Sequence, residues 1–389
     1  MREAVIVDAV RTPIGRFRGA LAGVRADHLG AIVLDALVKR NGIDPAIVDD
    51  VIFGCVTQIG EQSANIARTA LLSAGWPISV PGLTIDRKCG SSEVSLHNAV
   101  GSIVSGAADI VVAGGAENMS RVPMGSNRDI HGDPFGFAVL DRFETVSQGE
   151  GAERLADRWN LSRDQLDDYA IGSHRRAAEA SDAGRFDSQI VPIRIGDWHE
   201  RSAEATDTIL AKDETIRRDT SREKLATLKT SFRENGRVTA GNASQISDGA
   251  AALLVMEAET ARRAGLKPRA RIVSMTTVGS DPELVLSGPI AATSKVLARA
   301  RLKIDDIDLY EVNEAFAPVP LMWLAETGGN PEKLNVNGGA IALGHPLGAS
   351  GARLMTTLIN ELEQRNGRYG LQTMCCNGGL GTATIIERL

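Results

Sequence analysis

One supersecondary plan runs through this chain twice, and that repetition restricts the fold more than any single residue does. In the first half, the apolar run at 4–8 reads as a strand. Leu29, Ile32, Val33, Leu34 and Leu37 then give an apolar face to a helix over about 27–40. An Asn41-Gly42 turn precedes a strand at 50–54, a short strand at 82–85 leads into a helix ending near 105, and 108–115 reads as a strand closing on glycines. The second half answers with a strand at 270–276, a helix at 292–300, a strand at 308–312, a glycine-rich loop at 337–351, a helix to about 365 and a strand at 371–375. Asp50-Val51-Ile52-Phe53 and Asp308-Leu309-Tyr310-Glu311 fall at matching places, each after a helix and a polar turn. Alternating strands and helices predict an α/β fold with covered sheets, and the duplication predicts two stacked copies.

Residues 119–249 break the rhythm. Pro123, Gly125, Gly132, Asp133 and Pro134 make a loop-rich stretch, followed by a helix over about 162–181 and the charged run 212–233. This region carries helix patterns and apolar residues, so it reads as an insertion, and insertions between strands commonly carry ligand contacts. A strand at 249–256 closes the first half. The expected domains are therefore 1–118 with 250–268, the insertion 119–249, and 269–389.

Composition excludes several classes. A chain of 389 residues buries a large core, and its net charge of −6 leaves no nucleic-acid footprint, so an anionic ligand needs a local basic cluster. No apolar run approaches the ~20 residues of a membrane span. The four cysteines lack framework spacing. The sequence opens almost at once on Ala4-Val5-Ile6-Val7 with no secretory signal, and its last residues are no peroxisomal address. Together these lead to the expectation of a soluble cytoplasmic protein with no membrane or nucleic-acid partner.

Four separated motifs carry the chemistry. Cys89 lies between a strand and a helix in Asp86-Arg87-Lys88-Cys89-Gly90-Ser91-Ser92. A thiol at a helix N-terminus meets the positive end of the macrodipole and unpaired amides, which favours the thiolate, and Gly90 permits a tight turn. Alone, such a cysteine is more often a small buried residue. His345 is its best partner; it sits in a stretch too rich in glycine for a helix and is stiffened by Pro346. Alone it is the polar tip of a turn, and the loop lacks the Gly-Lys-Ser/Thr ending of a nucleotide loop. Asn313 follows the strand at 308–312, where functional residues of α/β folds gather; it either holds a water or carbonyl oxygen or caps the next segment. Cys375 ends a strand and enters Asn377-Gly378-Gly379, whose amides are placed to face a developing negative charge; the other reading is a core strand residue. Cys55 and Cys376 read as core. The remaining histidines (His28, His97, His131, His174 and His199) read as structural or surface residues, and no metal site is expected. A thiol nucleophile, a histidine, a second thiol and free amides are the parts of an acyl-transfer site.

Over essentially its full length the chain resembles the thiolases. The resemblance rests on Ala9-Val10-Arg11-Thr12-Pro13-Ile14-Gly15, Asp86-Arg87-Lys88-Cys89, Gly114-Gly115-Ala116-Glu117-Asn118-Met119-Ser120 and Ala240-Gly241-Asn242-Ala243-Ser244. Its most specific parts are Asn313-Glu314-Ala315-Phe316, the stretch from Gly338 to Pro346, and the Cys375 glycine turn. It implies duplicated βαβαβαββ halves stacked as five layers (α-β-α-β-α), with an inserted loop domain that binds coenzyme A. It implies Cys89 as the nucleophile that carries the acyl group, His345 as its activator and part of an oxyanion hole, and Asn313 holding a water in that hole. Cys375 is implied as the acid/base at the α-carbon, and the backbone amides of Cys89 and Asn377 as a second hole. Coenzyme A and acyl-CoA are implied as substrates with no permanently bound cofactor. Ser244 matches a contact to the pantetheine arm and Arg217 falls near one to the nucleotide end, while Gln148, Ala315 and Phe316 take substrate-binding positions. Arg218, Arg222, Lys224 and Lys229 add local positive charge, or else form a solvated helical face with Asp219 and Glu223. A homodimer or homotetramer is implied by the family alone.

Departures from the family pattern bear on the substrate. Glu93 puts a charge near the site or at a dimer contact, where many relatives carry an uncharged residue. Ser147-Gln148-Gly149 stands where biosynthetic members show His-Met-Gly, and Ser244-Gln245 resembles the Ser-Gln of degradative members. Asn377 replaces a glycine at a place where only the amide is needed. These features favour a degradative 3-ketoacyl-CoA thiolase over the alternative, a biosynthetic acetoacetyl-CoA thiolase condensing two acetyl-CoA. More distant is a decarboxylating condensing enzyme of the ketoacyl-synthase type, which would lack the second catalytic cysteine. An inert acyl-CoA-binding or lipid-transfer relative would have lost Cys89, His345 or Cys375.

Overall fold

The computed structural model describes residues 2–128, 131–198 and 207–389; His199 lies outside them. In the first half β1 (Ala4–Arg11) is followed by α1 (Ala26–Asn41), β2 (Asp50–Gly54), α2 (Ile66–Ser73), β3 (Gly82–Ile85), α3 (Ser91–Ser105) and β4 (Ile110–Asn118). The chain then leaves the sheet through α4 (Gln148–Arg158) and α5 (Arg163–Asp182) and returns in β5 (Ser247–Glu257). The second half runs β6 (Ala270–Gly279), α6 (Gly288–Ala300), β7 (Leu309–Val312), α7 (Pro318–Thr327), α8 (Ser350–Arg365), β8 (Tyr369–Cys376) and β9 (Leu380–Arg388).

Strand order is β3-β2-β4-β5-β1 in the first half and β7-β8-β9-β6 in the second. The pairings match as well. β2 runs parallel to β3 and β4, and β5 is antiparallel to β4 and β1. Likewise β7 is parallel to β8, and β9 is antiparallel to β8 and β6. Where β3 would recur, a single parallel bridge joins Tyr310 to Leu334. The two sheets touch through an antiparallel contact of β1 with β6, Val5 opposite Arg271 and Ile6 opposite Ala270.

Side chains alternate to build the layers. Val51 and Phe53 of β2, with Val112 and Leu254, meet Leu29, Val33 and Leu37 of α1 on the outer face. Ile52, Val111 and Leu253 face inward, onto Leu96 of α3 and Met355 and Leu358 of α8. α3 and α8 pack on each other between the sheets, α1 and α2 cover one outer face, and α6 and α7 the other. The result is a five-layered α-β-α-β-α fold, and strands buried on both faces explain the near-continuous apolar runs.

Three glycines set how closely the halves approach. A Cβ on Gly115 would lie 2.0 Å from the Gly348 carbonyl oxygen, and one on Gly348 would lie 2.5 Å from the Gly54 oxygen, so backbone rests on backbone. The insertion is tied to β1 by Arg11, whose buried guanidinium pairs with both oxygens of Asp213 at 2.7 and 2.9 Å.

The sequence reading missed α2, α4, α7 and β9. α7 opens on Pro318 and Pro320, which punctuate a sequence yet fit a first helical turn. α4 begins Gln148-Gly149-Glu150-Gly151, and its Ser147 cap, accepting from the Glu150 amide at 3.1 Å, outweighs the glycines. Within the stretch judged too glycine-rich for a helix, Ala340–Leu343 forms one short turn of helix. Among the described residues no helix is long and apolar enough to cross a membrane.

Candidate active site

Cys89 sits in the turn before α3, at the end of the first half's central layer. The turn is held by the Lys88 amide donating to Asp86 Oδ1 (2.7 Å) and the Arg87 amide donating to Ser91 Oγ (2.9 Å), with Lys88 in the left-handed region at φ 52°. Gly90 is needed for space rather than for a tight turn. Its φ is −84°, and a Cβ there would lie 2.7 Å from Cys376 Sγ. Three donors reach the Cys89 sulfur: its own amide, the Asn377 amide and the Gln148 side chain. These act in the direction expected of a helix terminus, but burial outweighs them and pushes the thiol up to about 11. The free site therefore holds a neutral thiol. The Ser147 cap makes Gln148 the first residue of α4, which aims its amide at Cys89.

His345 and Asn313 form a second group. His345 Nδ1 lies 2.6 Å from Ser350 Oγ, and Ser350 itself donates to the Pro346 carbonyl at 2.8 Å. Ser350 Oγ therefore accepts from Nδ1–H, and this hydrogen-bond pattern leaves Nε2 as the unprotonated nitrogen. Burial, and then the Arg353 charge, push the imidazole down to about 3, so it is neutral at physiological pH. Asn313 Nδ2 is 3.4 Å from His345 Nε2, while Asn313 Oδ1 is buried with no protein partner. Asn313 is not a helix cap; it is fully buried, and α7 begins later, after Ala317.

Two buried acids, unremarked in the sequence reading although both lie inside its motifs, hold the loops around His345. Glu117 accepts from the amides of Val56, Thr57 and Gly348 and from Gln62 Nε2, all at 2.9 Å. Glu314 accepts from Tyr169 Oη (2.8 Å), Ser173 Oγ (2.7 Å), Asn335 Nδ2 (2.9 Å) and the Ile341 amide (3.2 Å). The available signal was an acid at the end of an apolar strand run, where it must find donors.

Cys375 is fully buried near the end of β8; burial and the neighbouring Cys89 both push its thiol well up. Cys376, read as core, is fully buried and packs with Cys89, Met119, Leu347 and Met374. Glu93 lies inside the protein, accepting from the Thr382 hydroxyl and from Thr384 Oγ1 at 2.6 Å on β9. Burial pushes its carboxyl up to about 7. All four cysteines are free and buried. Among the described residues no cluster of His, Cys, Asp or Glu could hold a metal ion.

In front of Cys89 lies a cavity of about 290 Å³ that brings together Cys89, Gln148, Asn377 and Phe316. Its walls include Val56, Met124, Phe135, Val146, Phe232 and Leu347, and Phe232 packs edge-on against Phe316 with ring centres 5.8 Å apart. Ser244 and Ala315 stand outside this lining but are bonded to each other, Ser244 N to Ala315 O, at 2.9 Å. Arg217 is exposed, its amide donating to His174 Nδ1 at 3.1 Å and its guanidinium 3.4 Å from Gln245 Oε1. The basic run is less positive than its sequence implies, because Arg218 pairs with Asp182, Arg222 with Asp168 and Lys224 with Asp219. Only a five-residue helix, Arg222–Ala226, forms there.

Comparison with known proteins agrees with this arrangement. The family model for the thiolase N-terminal domain matches residues 4–259 and that for the thiolase C-terminal domain matches 266–388. The chain is 47% identical to a steroid 3-ketoacyl-CoA thiolase of Mycobacterium tuberculosis, across 100% of this chain and 95% of that protein. It is 46% identical to a beta-ketoadipyl-CoA thiolase of Escherichia coli, across the whole of both. Among solved structures, the Bacillus anthracis acetyl-CoA acetyltransferase superposes with a TM-score of 0.92 at 41% identity, covering 100% of this chain and 99% of that one.

Proposed function

Because the chain belongs to the thiolase family, we propose that it works in the degradative direction, cleaving a 3-ketoacyl-CoA with coenzyme A into acetyl-CoA and a shortened acyl-CoA. As a thiolase it is an acyltransferase that uses CoA as a substrate and carries no permanent cofactor. The observation that carries the reading is the convergence on one sulfur. Cys89 of the first half, Gln148 of the insertion and the Asn377 amide of the second half meet at the floor of an apolar cavity.

In the proposed reaction His345, neutral with Nε2 open, takes the Cys89 proton as Sγ attacks the 3-keto carbon. The C2–C3 bond breaks, its electron pair passes to the departing acetyl-CoA enolate, and Cys375 gives that α-carbon a proton. A thiol held high by burial retains its proton until a carbanion develops, which suits this step. The acyl group now sits on Cys89 as a thioester. CoA enters, loses its thiol proton to the Cys375 thiolate and attacks, releasing the shortened acyl-CoA and restoring Cys89. The Cys89 and Asn377 amides serve one oxyanion. His345, with a water on the otherwise unpartnered Asn313 Oδ1, serves the other.

Residues 119–249 act in this reading as the CoA-binding loop domain between halves formed by 1–118 with 250–268 and by 269–389. Within it Ser244 contacts the pantetheine arm, Arg217 the nucleotide end, and Gln148, Ala315 and Phe316 the reacting portion. We place the enzyme in the cytoplasm as a homodimer or homotetramer serving a β-oxidation-type sequence; four unpaired buried thiols suit a reducing compartment. The likeness to thiolases of steroid and beta-ketoadipyl substrates supports an acyl chain longer than acetyl. The test is thiolysis of 3-ketoacyl-CoAs followed by loss of enolate absorbance, with Cys89→Ser as control. Absence of CoA-dependent cleavage at every chain length would falsify the reading, and turnover of acetoacetyl-CoA alone would replace it with the biosynthetic one.

A further inference from the structure

We infer that the acyl chain this enzyme accepts ends in a carboxylate, held by Arg128 in the wall of the cavity in front of Cys89. The inference rests on the thiolase reading and adds the class of its substrate. The cavity, at about 290 Å³, offers far more room than an acetyl group needs, and its walls are mostly apolar: Val56, Met124, Phe135, Phe232, Phe316 and Leu347. A hydrocarbon segment attached to the Cys89 sulfur would lie against these side chains.

Two cations share that lining, Lys88 and Arg128. Lys88 is satisfied within the protein, its Nζ 2.6 Å from Asp86 Oδ2. Arg128 is different. Its amide donates to the Gly125 carbonyl at 2.9 Å, but its guanidinium has no carboxylate or side-chain hydrogen-bond partner among the described residues. Several other arginines of the insertion are paired, Arg154 with Glu144, Arg163 with Asp167, and Arg233 with Glu150 and Asp157, but none of these stands in the cavity wall. A guanidinium left unpaired beside an apolar cavity is a receptor for a planar anion, which it binds through two parallel hydrogen bonds.

Of the two ends of an acyl-CoA, the phosphates and the acyl tail, the tail is the one this cavity receives. Arg217 and Ser244, the proposed CoA contacts, lie outside the cavity lining, whereas Arg128 lies within it, as does the sulfur that carries the acyl group. Asn127, beside Arg128 in the same wall, supplies a further polar contact for the tail.

The experiment compares 3-ketoacyl-CoAs of equal carbon number with and without a terminal carboxylate, using the wild-type enzyme, Arg128→Ala and Arg128→Lys. Arg128 is exposed, so neither substitution disturbs the core. The wild type should favour the carboxylate series by roughly 10- to 100-fold in kcat/KM, the range of a charge-assisted hydrogen bond. Arg128→Ala should erase that preference with KM for CoA unchanged, and Arg128→Lys should restore part of it. A wild type that cleaves the uncharged chains equally well overturns this inference alone. So does an Arg128→Ala variant whose KM for CoA rises equally with both series. Failure of both series with the wild type sinks the thiolase reading itself.

Discussion

Glu117→Ala should be among the most damaging single truncations around His345 that touch neither cysteine nor histidine. Its carboxylate is fully buried and is the shared acceptor of four donors from three separate segments: the Val56 and Thr57 amides, Gln62 Nε2 and the Gly348 amide, each at 2.9 Å. A buried donor stripped of its partner costs about 1–3 kcal/mol, so four set an upper range of about 4–12 kcal/mol. Two effects reduce this. The loops can relax, and the wild-type carboxylate is itself costly to bury, as its raised titration shows. The expected loss is about 3–5 kcal/mol. Glu117→Gln retains one accepting oxygen but turns an NH2 toward the other two donors, so it should lose about half as much. Urea unfolding followed by far-UV circular dichroism and tryptophan fluorescence measures both, with unchanged m-values as the check that the denatured states are alike. Gly348 follows His345 closely in the same turn, so thiolysis without urea should show kcat reduced more than tenfold and KM for CoA little altered. An alanine variant within about 1 kcal/mol of the wild type, or a glutamine variant as unstable as the alanine one, would refute the shared-acceptor argument.

Ser350→Ala removes the acceptor of His345 Nδ1–H; kcat should fall about 10- to 100-fold with KM nearly constant, and an unchanged kcat would show that the imidazole is oriented by other contacts. Because burial pushes the Cys89 thiol up to about 11, its alkylation by iodoacetamide in the free enzyme should keep accelerating between pH 8 and about 10; a plateau below pH 8 would contradict that. Glu93 titrates at about 7 in the folded protein against an ordinary 4.5, so the fold holds its proton more tightly than the unfolded chain does. That stabilisation is complete below about pH 4.5 and is lost, to the extent of about 3 kcal/mol, as the pH rises through about 7. The stability advantage of the wild type over Glu93→Gln should therefore shrink between pH 5 and 8 in urea titrations, and a constant difference would exclude it.

The doubled strand-and-helix plan was readable because its period is local: adjacent residues on β2 choose opposite layers and residues two apart the same one, and each choice shows in the apolar pattern. α4 and α7 escaped because glycines and prolines that usually end helices here lie in their first turns. The resemblance implied one hole shared by Asn313 and His345 and a substrate position for Gln148; the structure sets Asn313 Nδ2 3.4 Å from His345 Nε2 and puts Gln148 in the cavity wall beside Cys89. Long-range relations were not legible. Glu117 finds a donor in Gly348, 231 positions away; its place at the end of an apolar run signals that it needs donors, but nothing local says which residues supply them. The reason for Gly90 was misjudged in the same way, since the atom it makes room for, Cys376 Sγ, belongs to the other half. The expected thiolate lost to burial, a property that the helix start alone does not disclose.

The hydrogen bond from the Asn377 amide to Cys89 has a consequence for the protein's biogenesis. The ribosome releases Cys89 long before Asn377, and the first half holds that cysteine without the Asn377 amide until β8 and its turn have docked. The packing around that sulfur is missing as well, because Leu347, Leu354, Met374 and Cys376 all belong to the second half, so a nascent or half-folded chain holds Cys89 without the burial that keeps its thiol neutral. The complete surroundings of Cys89 therefore exist only once the two halves have met.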